Sequence, residues 1–157
     1  MAQNNTIQFQ QQSPRSPELE CLNIFIGKWM NEGYTLDTAK TPSIKITTSD
    51  IYEWLPGKFF VLHTAYGRIG DTDVGGVEIL GYDPTTNQYF SRFFDSGGNI
   101  HEASLTADGD SWTWKGKSTG CTAVFSENSK VQTAHHVRLD ENGNWVPSME
   151  VVLTKVV

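Results

Sequence analysis

The feature that most limits what this chain can fold into is its punctuation. From Trp29 onward, short runs rich in β-branched and aromatic residues are interrupted by turn-forming residues at Thr41-Pro42-Ser43, Pro56-Gly57, Gly70 to Asp73, Asp83-Pro84, Asp95 to Gly98, Asp108-Gly109, Gly116-Lys117, Glu127-Asn128 and Asn142-Gly143. These nine turns divide the region into ten strands, from Trp29–Asp37 at the start to Trp145–Val156 at the end. No connection is long enough to hold a crossover helix, so each strand must pair antiparallel with the next in a meander. A meander keeps two exposed edges unless it closes, and closure at this strand number also leaves a lumen able to take a small ligand. The expected fold is all-β, a closed up-and-down antiparallel barrel of about ten strands.

The segment before the strands divides in two. Met1 to Arg15 is rich in Gln and Asn with few large apolar residues, which predicts a flexible N-terminal tail over 1–15 and a single domain over 16–157. Ser16-Pro17-Glu18 carries a capping hydroxyl, a proline in the first turn and an acid near the positive end of the helix dipole. A short helix is expected from Pro17 to Phe25, with Leu19, Leu22, Phe25 and Ile26 at helical spacing and Gly27 as its stop, closing one end of the barrel.

Charge and cysteine content narrow the function classes. The chain has 18 acidic against 12 basic residues, a net charge of −6, and no basic stripe, so nucleic acid is not an expected partner. No apolar run approaches the ~18 residues of a membrane span, and the polar start lacks the core of a secretory signal, so a cytoplasmic location with no membrane partner is expected. Cys21 and Cys121 stand a hundred positions apart, neither a zinc spacing nor a disulfide framework, and read as small buried apolar residues in a reducing compartment.

Two resemblances refine the fold. Leu22-Asn23-Ile24-Phe25-Ile26-Gly27-Lys28-Trp29, a helical turn running into Gly-x-Trp, resembles the opening of the lipocalin-like (calycin) barrels. The resemblance implies that Trp29 seals the closed end, with Gly27 before it and a basic side chain from the last strand across the ring. Lys155 stands at that place, where the usual residue is Arg. Further phrases follow in order: Tyr52-Glu53-Trp54-Leu55-Pro56-Gly57-Lys58-Phe59, Gly81-Tyr82-Asp83-Pro84, Phe94-Asp95-Ser96-x-Gly98, Trp112-Thr113-Trp114-x-Gly116 and Gly143-Asn144-Trp145. With Ile26-Gly27-Lys28-Trp29 they resemble, over Glu18 to Val157, a bacterial lipocalin-like family catalogued as domain of unknown function 1579. That resemblance implies a barrel and no established activity.

The residues that could act inside such a barrel follow from strand parity. In Lys130–Asp140 the set Val131, Thr133, His135, Val137 and Leu139 is the more apolar face, which predicts His135 inward and His136 outward. Trp112 and Trp114 share one face and are expected inward. The polar candidates for the lumen are His63, Tyr66, Arg92, His101, Glu102, His135 and Glu150, and Arg92 between Phe90 and Phe94 would suit a ligand carboxylate. The leading expectation is a small hydrophobic ligand bound in the lumen by His63, Tyr66, Arg92, His101, Trp112, Trp114, His135 and Glu150, with no catalytic residue assigned.

Alternatives stay open. An isomerase- or lyase-type enzyme could use His135 or His101 with Glu150 for acid–base chemistry, although no hydrolase motif or phosphate loop is present. No metal or other cofactor is expected, since no two histidines sit at i, i+2, but haem needs one axial histidine and His101, His135 and His136 keep that alternative open. In Lys58–Ile69 both parities are apolar near the start, Phe59 and Val61 on one side and Phe60, Leu62 and Tyr66 on the other. Something must cover the outer side: a second copy in a homodimer, or the helix or tail.

Overall fold

The computed structural model describes residues 13–157. A 3₁₀ helix, Pro17–Ile24, precedes ten strands: β1 Gly27–Thr35, β2 Lys45–Trp54, β3 Phe60–Ile69, β4 Thr72–Asp83, β5 Gln88–Asp95, β6 Ile100–Asp108, β7 Ser111–Gly116, β8 Thr119–Ser126, β9 Val131–Leu139 and β10 Trp145–Lys155. Every strand pairs antiparallel with its sequence neighbours, and β1 pairs with β10 to close the barrel. The meander closes as the turn pattern requires, with no free sheet edge left.

Of the tail expected over 1–15, residues 1–12 lie outside the described residues. At its C-terminal end Arg15 is tied down: Nε donates to the Lys58 carbonyl at 2.7 Å, the guanidinium lies 5.1 Å over the Trp54 ring, and it pairs with Glu20. The helix is of the tighter 3₁₀ kind, and Ser16 does not cap it. Its hydroxyl donates instead to the Glu18 carboxylate. Cys21, expected buried, is exposed on the side of the helix away from the buried Leu19 and Leu22. Trp54 Nε1 donates to Asn23 Oδ1 at 2.8 Å and Tyr89 hydroxyl to the Glu18 carbonyl at 2.7 Å, fastening the helix to β2 and β5.

Leu19, Leu22 and Phe25 are buried in the barrel end. The Phe25 ring meets Trp112 at 5.0 Å, Trp114 and Phe125 at 5.5 Å, and Tyr52 at 5.7 Å. Trp29 is fully buried beside them, donates Nε1 to the Phe25 carbonyl at 2.7 Å, and carries Lys155 Nζ 4.8 Å above its ring. Lys155 also donates to the Ile26 carbonyl at 2.8 Å, so one side chain covers the indole and satisfies a backbone acceptor where the helix turns into β1. Gly27 makes that turn with φ +133°, and a Cβ there would lie 2.4 Å from the Val157 carbonyl oxygen.

The barrel also has an apolar outer face. Phe60 and Phe90 lie 6.3 Å apart on one side of the cross-strand Arg92 and Glu102 pair, with Phe94 and Ile100 paired on the other side. Phe60, Phe94 and Ile100 are 43%, 44% and 64% exposed. The helix packs into the barrel end and does not shield this face.

Candidate functional site

Beyond the aromatic plug, the alternation of each strand sends a second set of side chains into the lumen. They enclose a cavity of about 430 Å³ with a mostly apolar surface. The register sets Tyr52, His63, Glu78, Phe93 and His101 side by side on β2 to β6. All five line the cavity, as does Asp50, one inward position along β2 from Tyr52.

Asp50, His63 and Glu78 are buried together. His63 Nδ1 lies 2.7 Å from Glu78 Oε2, a hydrogen bond, while Nε2 stands 3.5 Å from Asp50 Oδ2, near enough for charge attraction but making no direct hydrogen bond. Tyr52 stacks on the imidazole at 3.9 Å with the rings 9° from parallel. Burial is the largest single influence on His63 and lowers its pKa, but Asp50 and Glu78 together outweigh it and push the imidazole up to about 9. It is therefore an imidazolium at neutral pH. Burial, reinforced by the same two carboxylates, holds the Tyr52 phenol well above its ordinary pKa.

The opposite wall is neutral. Cys121 Sγ lies 3.7 Å from His136 Nε2. Burial pushes the thiol up to about 12 and pulls the imidazole down, so the pair is thiol and neutral imidazole rather than an activated thiolate. Two buried amides complete the site. Asn31 donates Nδ2 to the Thr48 hydroxyl at 2.9 Å and leaves Oδ1 without a partner. Gln132 Nε2 and His63 Nε2 are also without a hydrogen-bond partner, and no other buried side-chain polar atom is so among the described residues. Unpaired polar atoms in a cavity wall are where a ligand's complementary groups gain most.

Residues 14–155 match the family described as "Protein of unknown function (DUF1579)". The chain belongs to that family. No curated protein matches it in sequence. Among solved structures, the crystal structure of Rv2717c from M. tuberculosis superposes with a TM-score of 0.67 at 11% identity, covering 92% of this chain and 100% of that one. The S-type phycobiliprotein lyase CPES from Guillardia theta superposes with a TM-score of 0.56 at 7% identity, covering 91% and 94%. At these identities the likeness is one of fold.

Four side chains expected in the lumen of this DUF1579 barrel lie on its outer surface. Tyr66 has the parity opposite to His63 on β3 and is 63% exposed. Arg92 alternates with the buried Ser91, so the apolar company of Phe90 and Phe94 is exterior, and Arg92 pairs with Glu102 at 2.5 Å. His135 and Glu150, partners across β9 and β10, meet 3.2 Å apart outside. Glu102, another polar candidate, borders the cavity, but its side chain is mostly exposed in the pair with Arg92.

The inward face of β9 is Gln132, Ala134 and His136, the reverse of the expected parity. The reason is space: Ala123 and Ala134 sit side by side, with Trp112 beyond Ala123 and Val151 beyond Ala134, so small residues are needed where large rings converge. The displaced Thr133 instead joins Val124 and Val152 in an outer β-branched ladder. His63, His101 and Trp114 do line the cavity, whereas Trp112 points inward but belongs to the aromatic plug. His101 Nε2, at the end of the lumen away from the helix, lies 2.8 Å from Asp95 Oδ2.

Asp50, Glu78, Tyr52, Asn31, Gln132, Cys121 and His136 are site residues that the sequence reading did not select for the lumen. A signal for two of them is there: Asp50 shares parity with Tyr52, and Glu78 with Leu80. A carboxylate in phase with large apolar neighbours on a half-buried strand is a buried charge in need of a partner.

Proposed function

We propose that this barrel takes up a small, mostly apolar molecule in its lumen. The observation that carries the reading is a cavity of about 430 Å³ lined by Asn31, His63 and Gln132, each with a buried polar atom that has no hydrogen-bond partner. A preformed apolar pocket with a few fixed polar groups suits binding, and the fixed groups set orientation. Acid–base catalysis by His135 or His101 with Glu150 loses His135 and Glu150, both outside, and leaves His101 in the lumen paired with Asp95. Of the haem candidates, His135 is likewise outside, His136 is within contact of Cys121, and His101 is held by Asp95. A cytoplasmic setting suits two free thiols, and no helix among the described residues is long and apolar enough to cross a membrane.

Native mass spectrometry of freshly purified protein beside a denatured aliquot tests the reading. An added mass that disappears on denaturation is the expected result. A bare mass, together with failure of neutral apolar probes to enter the lumen, overturns it.

For the outer face we propose a second copy of the chain as the occupant. The Arg92 and Glu102 pair at its centre makes the patch self-complementary, because a two-fold axis through the pair sets each arginine against the opposite copy's glutamate. Sedimentation velocity at micromolar concentration is expected to show a dimer that Phe94→Asp returns to monomer. A monomeric parent protein rejects the proposal.

A further inference from the structure

We infer that the lumen selects an organic cation, a small molecule with an apolar body and one protonated amine directed at Asp50 and Glu78. The inference rests on the lumen-binding reading and adds the ligand's charge. Two carboxyl groups, each with a side chain only 9% exposed, share a single imidazole, and no lysine or arginine lines the cavity among the described residues. Lys155 at the closed end is already held by the Trp29 ring and the Ile26 carbonyl. The Cys121 and His136 wall contributes no positive charge. Even with His63 charged, the site carries one more negative group than positive. An uncompensated carboxylate is costly to desolvate, so a cation entering this wall is favoured where an anion is repelled.

A second, independent observation points the same way. Asn31 Oδ1 is a buried acceptor without a donor, in a side chain only 3% exposed. The register places Asn31 opposite Thr48, and Asp50 is the next inward residue along β2. An ammonium group brings three donors and no acceptor, which matches the carboxylate oxygens and the Asn31 carbonyl. The two donors without a hydrogen-bond partner, Gln132 Nε2 and His63 Nε2, call for an acceptor elsewhere on the same molecule. Phe93, Tyr52 and Trp114 supply aromatic surface to the apolar body. A ligand carboxylate, the partner expected for an inward Arg92, would meet only the neutral His136 and imidazoles already held by carboxylates, His63 between Asp50 and Glu78 and His101 against Asp95.

The test uses the full chain and N-phenyl-1-naphthylamine, a neutral fluorescent probe of apolar cavities, displaced by 2-phenylethylamine, 2-phenylethanol or phenylacetate at pH 7.5. These three differ little in size and chiefly in charge. The amine is expected to displace the probe at about tenfold lower concentration than the alcohol, the margin of a charge-assisted over a neutral hydrogen bond, with phenylacetate weakest. Asp50→Asn and Glu78→Gln, each near-isosteric, are expected to bring the amine toward the alcohol while probe uptake reports an intact lumen. Equal potency of amine and alcohol in the parent protein, or tighter binding of phenylacetate, overturns the charge inference and leaves lumen binding standing. Failure of the neutral probe to enter removes the lumen reading itself, and this inference with it.

Discussion

Replacing His63 by glutamine is expected to lower the unfolding free energy by about 3–5 kcal/mol at pH 7, because it leaves Asp50 and Glu78 facing each other without the cation between them. The parent protein should show the same dependence through pH. The folded pKa is raised from 6.5 to about 9, so the charged imidazole's contribution is fully present below pH 6.5 and is lost as pH rises through 9. The size of that loss is about 3 kcal/mol, from the interval between the two pKa values. Cys121 also weakens the fold in alkali, since burial raises its thiol, but that effect begins only near the ordinary thiol pKa and continues upward. Urea unfolding of the parent and His63→Gln proteins between pH 6 and 10 separates the two. The difference between them should shrink between 6.5 and 9 and be small beyond, whereas a difference constant with pH would mean that the imidazole carries no charge in the fold.

The part of this architecture legible in the sequence is the part set by local chemistry. Turn residues divide the strands because glycine, proline, asparagine and aspartate adopt the required backbone angles wherever they stand, and a meander then follows from short connections. Gly27, Trp29 and Lys155 were placed instead by the resemblance to the lipocalin-like opening, and the pairing of the first and last strands brings Trp29 and Lys155 together. What alternation alone did not supply is which face points inward. On β9 the rule that the greasier face lies inside chose Val131, Val137 and Leu139, and the small residues Ala123 and Ala134, side by side next to the Trp112 ring that meets Phe25, reversed it. On β5 the same rule placed Arg92 inside, because the outer face there is as apolar as the inner. The lumen is more polar than a core, so hydrophobicity misjudges a strand that faces a cavity. His63 was found from β3 by itself, but its partners Asp50 and Glu78 come from β2 and β4, and only the register brings the three together.

The closed end is where substitution should be felt furthest from the site. Trp29→Ala is expected to cost about 3–5 kcal/mol, the range for removing a large buried aromatic side chain whose surroundings close over the space only in part. Several losses coincide there: the indole's packing on Phe125 at 6.1 Å, its hydrogen bond to the Phe25 carbonyl, and the surface on which Lys155 lies. Trp29→Phe separates them, since it keeps an aromatic ring but leaves the Phe25 carbonyl unpaired, and should cost about 1–3 kcal/mol. A double-mutant cycle with Lys155→Met isolates the cation over the ring, for which a coupling of about 1 kcal/mol is expected at this half-buried position. Chemical denaturation of the four proteins of the cycle measures it. A cost for Trp29→Ala below about 1 kcal/mol would place the indole outside the cooperative core, and the barrel would then owe its closure to the β1 and β10 ladder alone. A large cost with full coupling instead makes the helix, Trp29 and Lys155 one unit, the rigid floor on which the Asp50, His63 and Glu78 wall stands.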